Sequence, residues 1–168
     1  MRLNKMSILL VPLMCLSLIS CGANDIDDCK ETGLLIQKEY KSFVEGTDNP
    51  LYVESLKSVV SVIAFATDES GTAVSSMLGS GFVYYEDDSY HYIITNQHVV
   101  RSGSYYKLIS ATGQVKTATL LGSDGIFDIA LLRVEKFNNV NVVKFPNEDY
   151  TKIENPKSGS EVYLIGNP

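Results

Sequence analysis

The sequence has 168 residues, of which 45% are hydrophobic and 20% charged, a composition typical of a globular protein. The net charge is −6 and no basic stripe is present, so we expect no nucleic-acid partner. No apolar run reaches the ~20 residues of a standard membrane-spanning helix. All three cysteines, Cys15, Cys21 and Cys29, lie near the N-terminus, which excludes a disulfide framework or a cysteine zinc site in the body of the chain.

Residues 1–20 follow the plan of a secretory signal, with a basic start, an apolar run over 6–16 and small residues before a cysteine. Residues 18–22, Leu-Ile-Ser-Cys-Gly, resemble the lipobox of bacterial lipoproteins. That resemblance implies cleavage before Cys21 and two acyl chains on its thiol, which are sufficient for stable membrane anchoring. We therefore expect a lipid-anchored protein of the bacterial cell envelope, outside the cytoplasm. An uncleaved signal anchor, or a plain signal peptide with a coincidental cysteine, is the alternative.

Residues 21–57 are predicted to be a lipidated tether and helical linker that joins the anchor to the folded body. The segment Gly22 to Asp28 is polar and acidic, as expected of a tether. The segment Lys30 to Glu45 mixes apolar and polar residues at spacings that favour a helix. A second helix is predicted to start near Pro50, which follows a capping residue, and to continue through residues 52–56.

From residue 58 onward, short Val-, Ile- and Tyr-rich runs alternate with turn signals, which favours an all-β protein. Six strands are predicted, at Val59–Ala66, Met77–Tyr85, Tyr90–Asn96, Tyr105–Ala111, Val115–Leu121 and Ile129–Glu135. Short strands at this regular spacing, without helical stretches between them, favour a sandwich or a barrel. Six strands with hairpin links would close one small barrel with few exposed edges. After residue 145 the chain becomes polar and proline-interrupted, and residues 160–165 then predict one further strand.

Two polar residues lie where a predicted strand meets a loop. His98 stands in the polar turn that ends the apolar run 92–94, and Asp128 immediately precedes the apolar run 129–132. A serine hydroxyl is a poor nucleophile until an imidazole takes its proton, and a buried carboxylate on the other ring nitrogen fixes the required tautomer. His98 and Asp128 are therefore predicted to form two thirds of a catalytic triad.

Other acidic and histidine side chains offer alternatives. Asp124 is the rival of Asp128, but its Ser-Asp-Gly context favours capping of a turn. His91 is predicted to be half-exposed within its strand. A metal site formed by His91, His98 and a carboxylate is disfavoured, because residues seven apart in a continuous strand face opposite sides. The acidic run 86–88 is predicted to be a solvated hairpin tip rather than a calcium loop.

From about residue 58 to residue 168 the sequence resembles the trypsin-like serine proteases of the HtrA (Deg) type. The resemblance rests on four motifs in the family's order, at residues 79–82, 92–100, 127–132 and 162–168. It implies a chymotrypsin-like fold of two six-stranded barrels, with the active site between them. It also implies that His98 is the general base and Asp128 the carboxylate that orients it. Gly79 and Gly81 would then allow close backbone packing beneath the histidine loop, and Ser80 would be a strand residue rather than the nucleophile.

The family's nucleophilic serine lies in a Gly-Asn-Ser-Gly-Gly type turn of the second barrel, which also supplies the oxyanion-hole amides. No Gly-x-Ser-x-Gly or Asn-Ser-Gly string occurs among the 168 residues. We therefore expect residues 58–168 to comprise the first barrel and the first strand of the second, in a C-terminally truncated chain. Without the nucleophile and the oxyanion hole, this chain is expected to be inactive as it stands.

The expected function is that of a serine endopeptidase that acts on proteins outside the cytoplasm. The resemblance implies protein or peptide substrates, unfolded proteins among them, and the acyl-transfer mechanism needs no metal or organic cofactor. The alternative is a non-catalytic surface lipoprotein in which a degenerate protease barrel serves as a binding module.

Overall fold

The computed structural model describes residues 25–46, 50–145, 157–160 and 164–166. The signal-like residues 1–20 and Cys21 lie outside these ranges, so the lipid anchor stays a prediction. In chain order, the helices and strands are α1 (Asp25–Gly46), α2 (Pro50–Leu56), β1 (Val59–Thr67), β2 (Ala73–Glu86), β3 (Tyr90–Thr95), α3 (Gln97–Val100), β4 (Tyr105–Ser110), β5 (Val115–Asp124) and β6 (Ile129–Glu135).

The six strands form one closed antiparallel barrel in the order β1-β2-β3-β6-β5-β4. Strand β1 pairs with β2 on one side and with β4 on the other, which closes the sheet on itself. Closure leaves the described strands without an unpaired edge that could recruit another chain. The predicted all-β class and the six-stranded antiparallel barrel are confirmed.

Alternate side chains of each strand point into the barrel, as the period of two in a strand requires. In β6, for example, Ala130, Leu132 and Val134 are buried while their neighbours are more exposed. The barrel core includes Val60, Val62, Ala64, Val83, Ile93, Leu108, Leu132 and Val134. Burial of one such valine or leucine side chain contributes about 1.5–3 kcal/mol, so this interior supplies the main stabilisation of the barrel.

Helix α1 packs on the outside of the barrel. Its Cys29 is fully buried in a second cluster with Ile63, Phe65 and Ile109. The backbones of Gly33 in α1 and Gly113 in the β4–β5 turn are in close contact. A Cβ at either glycine would collide with the carbonyl oxygen of the other. The helix begins at Asp25, five residues before the predicted start at Lys30. None of the described helices is both long enough and apolar enough to span a membrane.

Most predicted element boundaries agree with the structure within one residue, including the start of α2 at Pro50. Strand β2 begins four residues earlier than predicted, because its first residues pair with β1 as far as Ala73 opposite Thr67. Strand β5 runs on to Asp124, which pairs with Ile129. Of the predicted strand over 160–165, the described residues 160, 164 and 165 belong to no strand, and 161–163 lie outside the described part of the chain.

Candidate active site

The register of β3 against β6 places both predicted site residues at one end of the barrel. Thr95, the last residue of β3, pairs with Ala130 at the start of β6. His98 follows Thr95 by three positions and Asp128 precedes Ala130 by two, so both residues emerge at the same rim. The structure therefore brings together the two residues that the sequence analysis selected.

His98 lies in a single helical turn, α3, rather than in an irregular loop. The next two residues, Val99 and Val100, are buried in the barrel core and hold this turn against the sheet. Gly79 of β2 makes the close approach possible, because a Cβ at that position would lie 2.5 Å from Cγ2 of Val99. The predicted packing of Gly79 beneath the histidine is confirmed.

The neighbours of Gly79 in β2 have other roles. A Cβ at Gly81 would lie 2.7 Å from Cγ2 of Ile93, so Gly81 gives room to strand β3, which leads into the histidine turn. Ser80 is a strand residue, as predicted, and it pairs with Ser61. The carbonyl oxygen of Ser80 accepts a hydrogen bond of 2.8 Å from Oγ1 of Thr95, which ties β2 to the last residue before the histidine turn.

The carboxylate of Asp128 contacts both the backbone and the ring of His98. Its Oδ1 accepts a hydrogen bond of 2.8 Å from the His98 backbone N–H. Its Oδ2 lies 2.7 Å from Nδ1 of the imidazole. Asp128 has a φ of 53°, in the left-handed region where aspartate is several-fold enriched among non-glycine residues. This two-point contact fixes the position of the imidazole relative to the carboxylate.

Hydrogen bonds keep Asp128 ionised. They hold the pKa of its carboxyl below the ordinary value, first through the His98 backbone N–H, then through the His98 ring, with a smaller contribution from Asn96. Because an ionised carboxylate only accepts, Nδ1 of His98 is the donor, and Nε2 of the neutral ring carries the lone pair. The side chains of His98 and Asp128 are 56% and 42% exposed in this chain.

This geometry suits a general base. An imidazole whose Nδ1–H is fixed by a carboxylate presents Nε2 as a proton acceptor, and the imidazolium formed on proton uptake is stabilised by the same carboxylate. The sequence analysis missed a third residue of the cluster, Asn96, whose amide contacts Asp128. No local sequence pattern indicated this role, because the partner of Asn96 lies 32 positions further along the chain.

Asp124 has the role that the sequence predicted for it. Its Oδ1 accepts hydrogen bonds from the backbone N–H groups of Ile126, at 2.7 Å, and Phe127, at 3.1 Å. The carboxylate thereby caps the turn between β5 and β6. Ile126 lies in the same turn, two residues before Asp128, and is 90% exposed.

The prediction that His91 is half-exposed was wrong, since its side chain is fully buried. Alternation along β3 places His91 on the same face as the buried Ile93, and this spacing of two was the overlooked signal. Its Nε2 lies 3.0 Å from Oε2 of Glu86, and its Nδ1 accepts a hydrogen bond of 3.3 Å from the Phe137 N–H. Both ring nitrogens are thus engaged away from His98. Among the described residues, no group of three or more histidine, cysteine or acidic side chains could hold a metal ion.

The acidic run 86–88 forms the end of the β2–β3 hairpin, as predicted. Asp87 caps the turn, with Oδ1 accepting from the backbone N–H groups of Ser89 at 2.8 Å and Tyr90 at 2.7 Å. The Glu86 carboxylate is not only solvated, since its Oε2 also forms an ion pair with Nζ of Lys136 at 3.0 Å. These contacts explain why the pKa of each carboxyl lies below its ordinary value, through Lys136 for Glu86 and through the Ser89 N–H for Asp87.

Comparison with known protein families identifies the family to which this barrel belongs. The model of the trypsin-like peptidase domain matches residues 79–168, which is more than half of the chain. The chain belongs to the trypsin-like peptidase domain family. The matched range contains strands β3 to β6, the histidine turn and Asp128, and the predicted resemblance to HtrA-type trypsin-like proteases is confirmed.

Several relatives of this trypsin-like domain are serine proteases. A probable periplasmic serine endoprotease DegP-like of Buchnera aphidicola is 35% identical over 91 residues, which are 54% of this chain and 18% of the relative. Serine protease Do-like HtrB of Bacillus subtilis is 36% identical over 89 residues, 53% of this chain and 18% of the relative. The crystal structure of the serine endoprotease from Yersinia pestis aligns with a TM-score of 0.42 and 28% identity, covering 54% of this chain and 29% of that one. The chain thus spans about a fifth of the length of the curated relatives it matches.

Proposed function

We propose that His98 and Asp128 are the general base and the orienting carboxylate of a trypsin-like serine endopeptidase. The observation that carries the proposal is the two-point contact of Asp128 with the backbone N–H and Nδ1 of His98. This contact leaves Nε2 of the neutral imidazole as the proton acceptor. Membership of the trypsin-like peptidase domain family supports the assignment of the pair to peptide-bond hydrolysis.

In the proposed reaction, Nε2 of His98 takes the proton of a serine hydroxyl while the serine oxygen attacks the carbonyl carbon of a peptide bond. The imidazolium then gives this proton to the leaving amine, and an acyl-enzyme remains that water hydrolyses by the same two steps. Asp128 stabilises the imidazolium in both steps. The chemistry requires no metal or organic cofactor.

The serine itself is not assigned to a residue of this sequence. The string that carries it in this family, Gly-x-Ser-x-Gly, does not occur in residues 1–168. We therefore propose that a polypeptide of residues 1–168 alone forms no acyl-enzyme. The proposed organisation is a signal peptide at 1–20, a lipidated tether and helical linker at 21–57, and at 58–168 the first barrel of the peptidase domain with the first strand of the second.

The function can be tested with a fluorophosphonate probe, which labels an activated serine. A natural protein that includes a family-type serine, isolated from its cell envelope, is expected to be labelled, and its His98→Ala form produced in the same cells is not. Recombinant residues 1–168 are expected to remain unlabelled. Absence of label on a folded native product would contradict the peptidase proposal and favour a barrel that acts as a binding module. Label on recombinant 1–168 would contradict the proposed lack of activity.

We further propose that the protein is anchored outside the cytoplasm through a lipid on Cys21 and acts there on protein substrates, unfolded proteins among them. The signal-like residues 1–20 and the lipobox-like residues 18–22 support the anchor. Relatives named as periplasmic endoproteases support the compartment and the substrate class.

The anchor has a direct test. Metabolic labelling with a fatty acid is expected to mark the wild-type protein and to be lost in Cys21→Ala, which should leave the membrane fraction. Cys15→Ala is the matched control, because this cysteine lies within the proposed signal peptide and should not affect labelling. Retention of fatty acid by Cys21→Ala would contradict the anchor while leaving the peptidase proposal intact.

A further inference from the structure

Asn96 occupies the N-cap position of α3 but does not cap it. Asparagine at an N-cap ordinarily accepts a hydrogen bond from a backbone N–H of the first turn. Here its backbone is extended, with φ −81° and ψ 143°, and its side chain makes no capping bond to the described residues of α3. The side-chain Nδ2 lies 3.1 Å from Oδ2 of Asp128 and 3.2 Å from the carbonyl oxygen of Asp128. Because both contacted oxygen atoms are acceptors, the NH₂ group of the Asn96 amide must face Asp128.

Asp128 takes over the capping role that Asn96 leaves. The N–H of His98, the second residue of α3, is a donor that an N-cap side chain normally satisfies. It donates instead to Oδ1 of Asp128, at 2.8 Å. The carboxylate therefore caps the histidine turn, and Asn96 binds the carboxylate. Asp128 thus binds the backbone N–H that Asn96 would ordinarily cap, and these contacts tie the histidine turn to the start of β6.

The contacts of Asn96 restrict Asp128 in two ways. The bond to Oδ2 lies beside the one that His98 Nδ1 makes to the same oxygen, so the carboxylate cannot rotate without losing a donor. The bond to the carbonyl oxygen supports a backbone with φ 53°, a conformation that side-chain-bearing residues adopt at a free-energy cost. Both contacts keep Oδ2 directed at the imidazole.

We propose that Asn96 is a positioning residue, which holds the Asp128 carboxylate in the orientation that fixes the His98 tautomer. The inference rests on the proposed function of His98 as general base. It adds a third side chain that acts on the imidazole only through Asp128.

The proposal can be tested on the 168-residue chain, without any peptidase activity. Imidazole ¹⁵N shifts of His98 report the ratio of the Nδ1–H to the Nε2–H tautomer, and carboxyl ¹³C shifts report the titration of Asp128. In Asn96→Leu, which has a similar size but no amide, the tautomer ratio is expected to fall by about two- to tenfold, the equivalent of one lost hydrogen bond. The pKa of Asp128 should rise. In Asn96→Asp the rise should be larger, because a second carboxylate then faces the first.

Asn141 provides a matched control, because its Nδ2 donates to the Glu54 carboxylate at 2.9 Å, in a contact of the same chemistry that does not involve His98. Asn141→Leu should leave the tautomer ratio and the Asp128 titration unchanged. Asn96 is exposed, so Asn96→Leu and Asn96→Asp are expected to keep the barrel fold, with thermal unfolding as the check. An unchanged tautomer ratio and an unchanged Asp128 titration in Asn96→Leu would overturn the proposal.

A kinetic experiment on the native peptidase separates this inference from the proposed function. Asn96→Leu is expected to lower kcat with little change in KM, because the substrate does not contact Asn96 in this assignment. If His98→Ala retains full activity, the proposed function fails. If His98→Ala is inactive while Asn96→Leu keeps the wild-type kcat, only the positioning role of Asn96 is overturned.

Discussion

Three N–H donors meet the two carboxylate oxygens of Asp128, namely the His98 backbone, the His98 ring and the Asn96 amide. This number of donors explains how a carboxylate that is 42% exposed keeps a pKa below its ordinary value. Burial would act in the opposite direction, because desolvation disfavours the charged form. At the residue scale, hydrogen-bond geometry therefore lowers the pKa of the Asp128 carboxyl and favours its ionised form.

The same geometry gives a prediction for Asp128→Asn. The His98 backbone N–H requires an acceptor, so the asparagine oxygen is expected to take the place of Oδ1 and its amine that of Oδ2. The amine then donates to Nδ1 of His98, which moves the ring proton to Nε2 and removes the proton acceptor. Imidazole ¹⁵N shifts of the 168-residue chain should show this tautomer reversal. In the peptidase proposed above, kcat is expected to fall by about 10⁴-fold.

Asp124→Asn is the matched control for this substitution. Asp124 accepts two backbone N–H bonds through one oxygen, and an asparagine oxygen can accept the same two. The variant is therefore expected to keep the wild-type tautomer of His98. A His98 tautomer in Asp128→Asn equal to that of the wild type would contradict the prediction.

The sequence was sufficient to select His98, Asp128 and Asp124, because strand ends and turn strings are local patterns. It was not sufficient for Asn96, whose role depends on a residue 32 positions away that only the β3–β6 register brings close. The half-exposed assignment of His91 failed for a different reason. A polar residue on an inward-facing position of a strand is buried when the barrel provides partners, and those partners come from other parts of the chain.

At the element scale, the position of His98 depends on the packing of α3 against β2. The helix has only four residues and cannot be stable alone, so its position comes from the burial of Val99 and Val100. The absence of a side chain at Gly79 lets Val99 approach the strand. This short helix was not predicted, because four residues carry no measurable periodicity. The six strands were predictable, because short runs rich in Val, Ile and Tyr alternate with turn signals along this part of the chain.

Gly79→Ala tests this packing. The new Cβ would lie 2.5 Å and 2.9 Å from the two γ-carbons of Val99, so either α3 or β2 must shift. Overpacking of this kind typically destabilises by about 1–3 kcal/mol. We expect the free energy of unfolding, measured with urea, to fall by this amount, and the Nδ1–H tautomer of His98 to be less populated as α3 moves away from Asp128.

Gly122→Ala is the control, because no described atom lies within 4 Å of a Cβ at this β5 position. Its effect on unfolding should be small, and the tautomer of His98 should not change. Equal destabilisation in the two variants would indicate that the loss of a strand glycine, rather than the contact with Val99, determines the outcome.

At the scale of the whole molecule, His91 links three parts of the barrel. It belongs to β3, its Nε2 contacts Glu86 at the end of β2, and its Nδ1 accepts from the Phe137 N–H after β6. The acceptor role of Nδ1 requires a neutral ring with its proton on Nε2. Burial lowers the pKa of His91 from its ordinary value of 6.5, against the opposing effect of Glu86, while Lys136 and Lys116 lower it further.

This arrangement predicts a pH-dependent stability. Because the folded-state pKa is below the unfolded-state value of about 6.5, the unfolded chain binds the proton more readily, and the barrel is most stable above that value. Stability should fall as the pH drops from about 6.5 towards the folded-state pKa, by about 1.4 kcal/mol for each unit of difference. Urea unfolding at pH 7.5 and 5.5, above the ordinary range of the carboxyl groups, would measure the fall.

His91→Gln isolates the cause, because its amide can donate to Glu86 and accept a hydrogen bond but cannot take up a proton in this range. The variant is expected to be less stable than the wild type at pH 7.5 and to show little further loss at pH 5.5. His98→Gln is the control, since these are the chain's two histidines and His98 is exposed. It should retain most of the wild-type fall in stability. If the fall persists in His91→Gln and disappears in His98→Gln, His98 causes the acid sensitivity of the barrel, and the explanation through His91 is wrong.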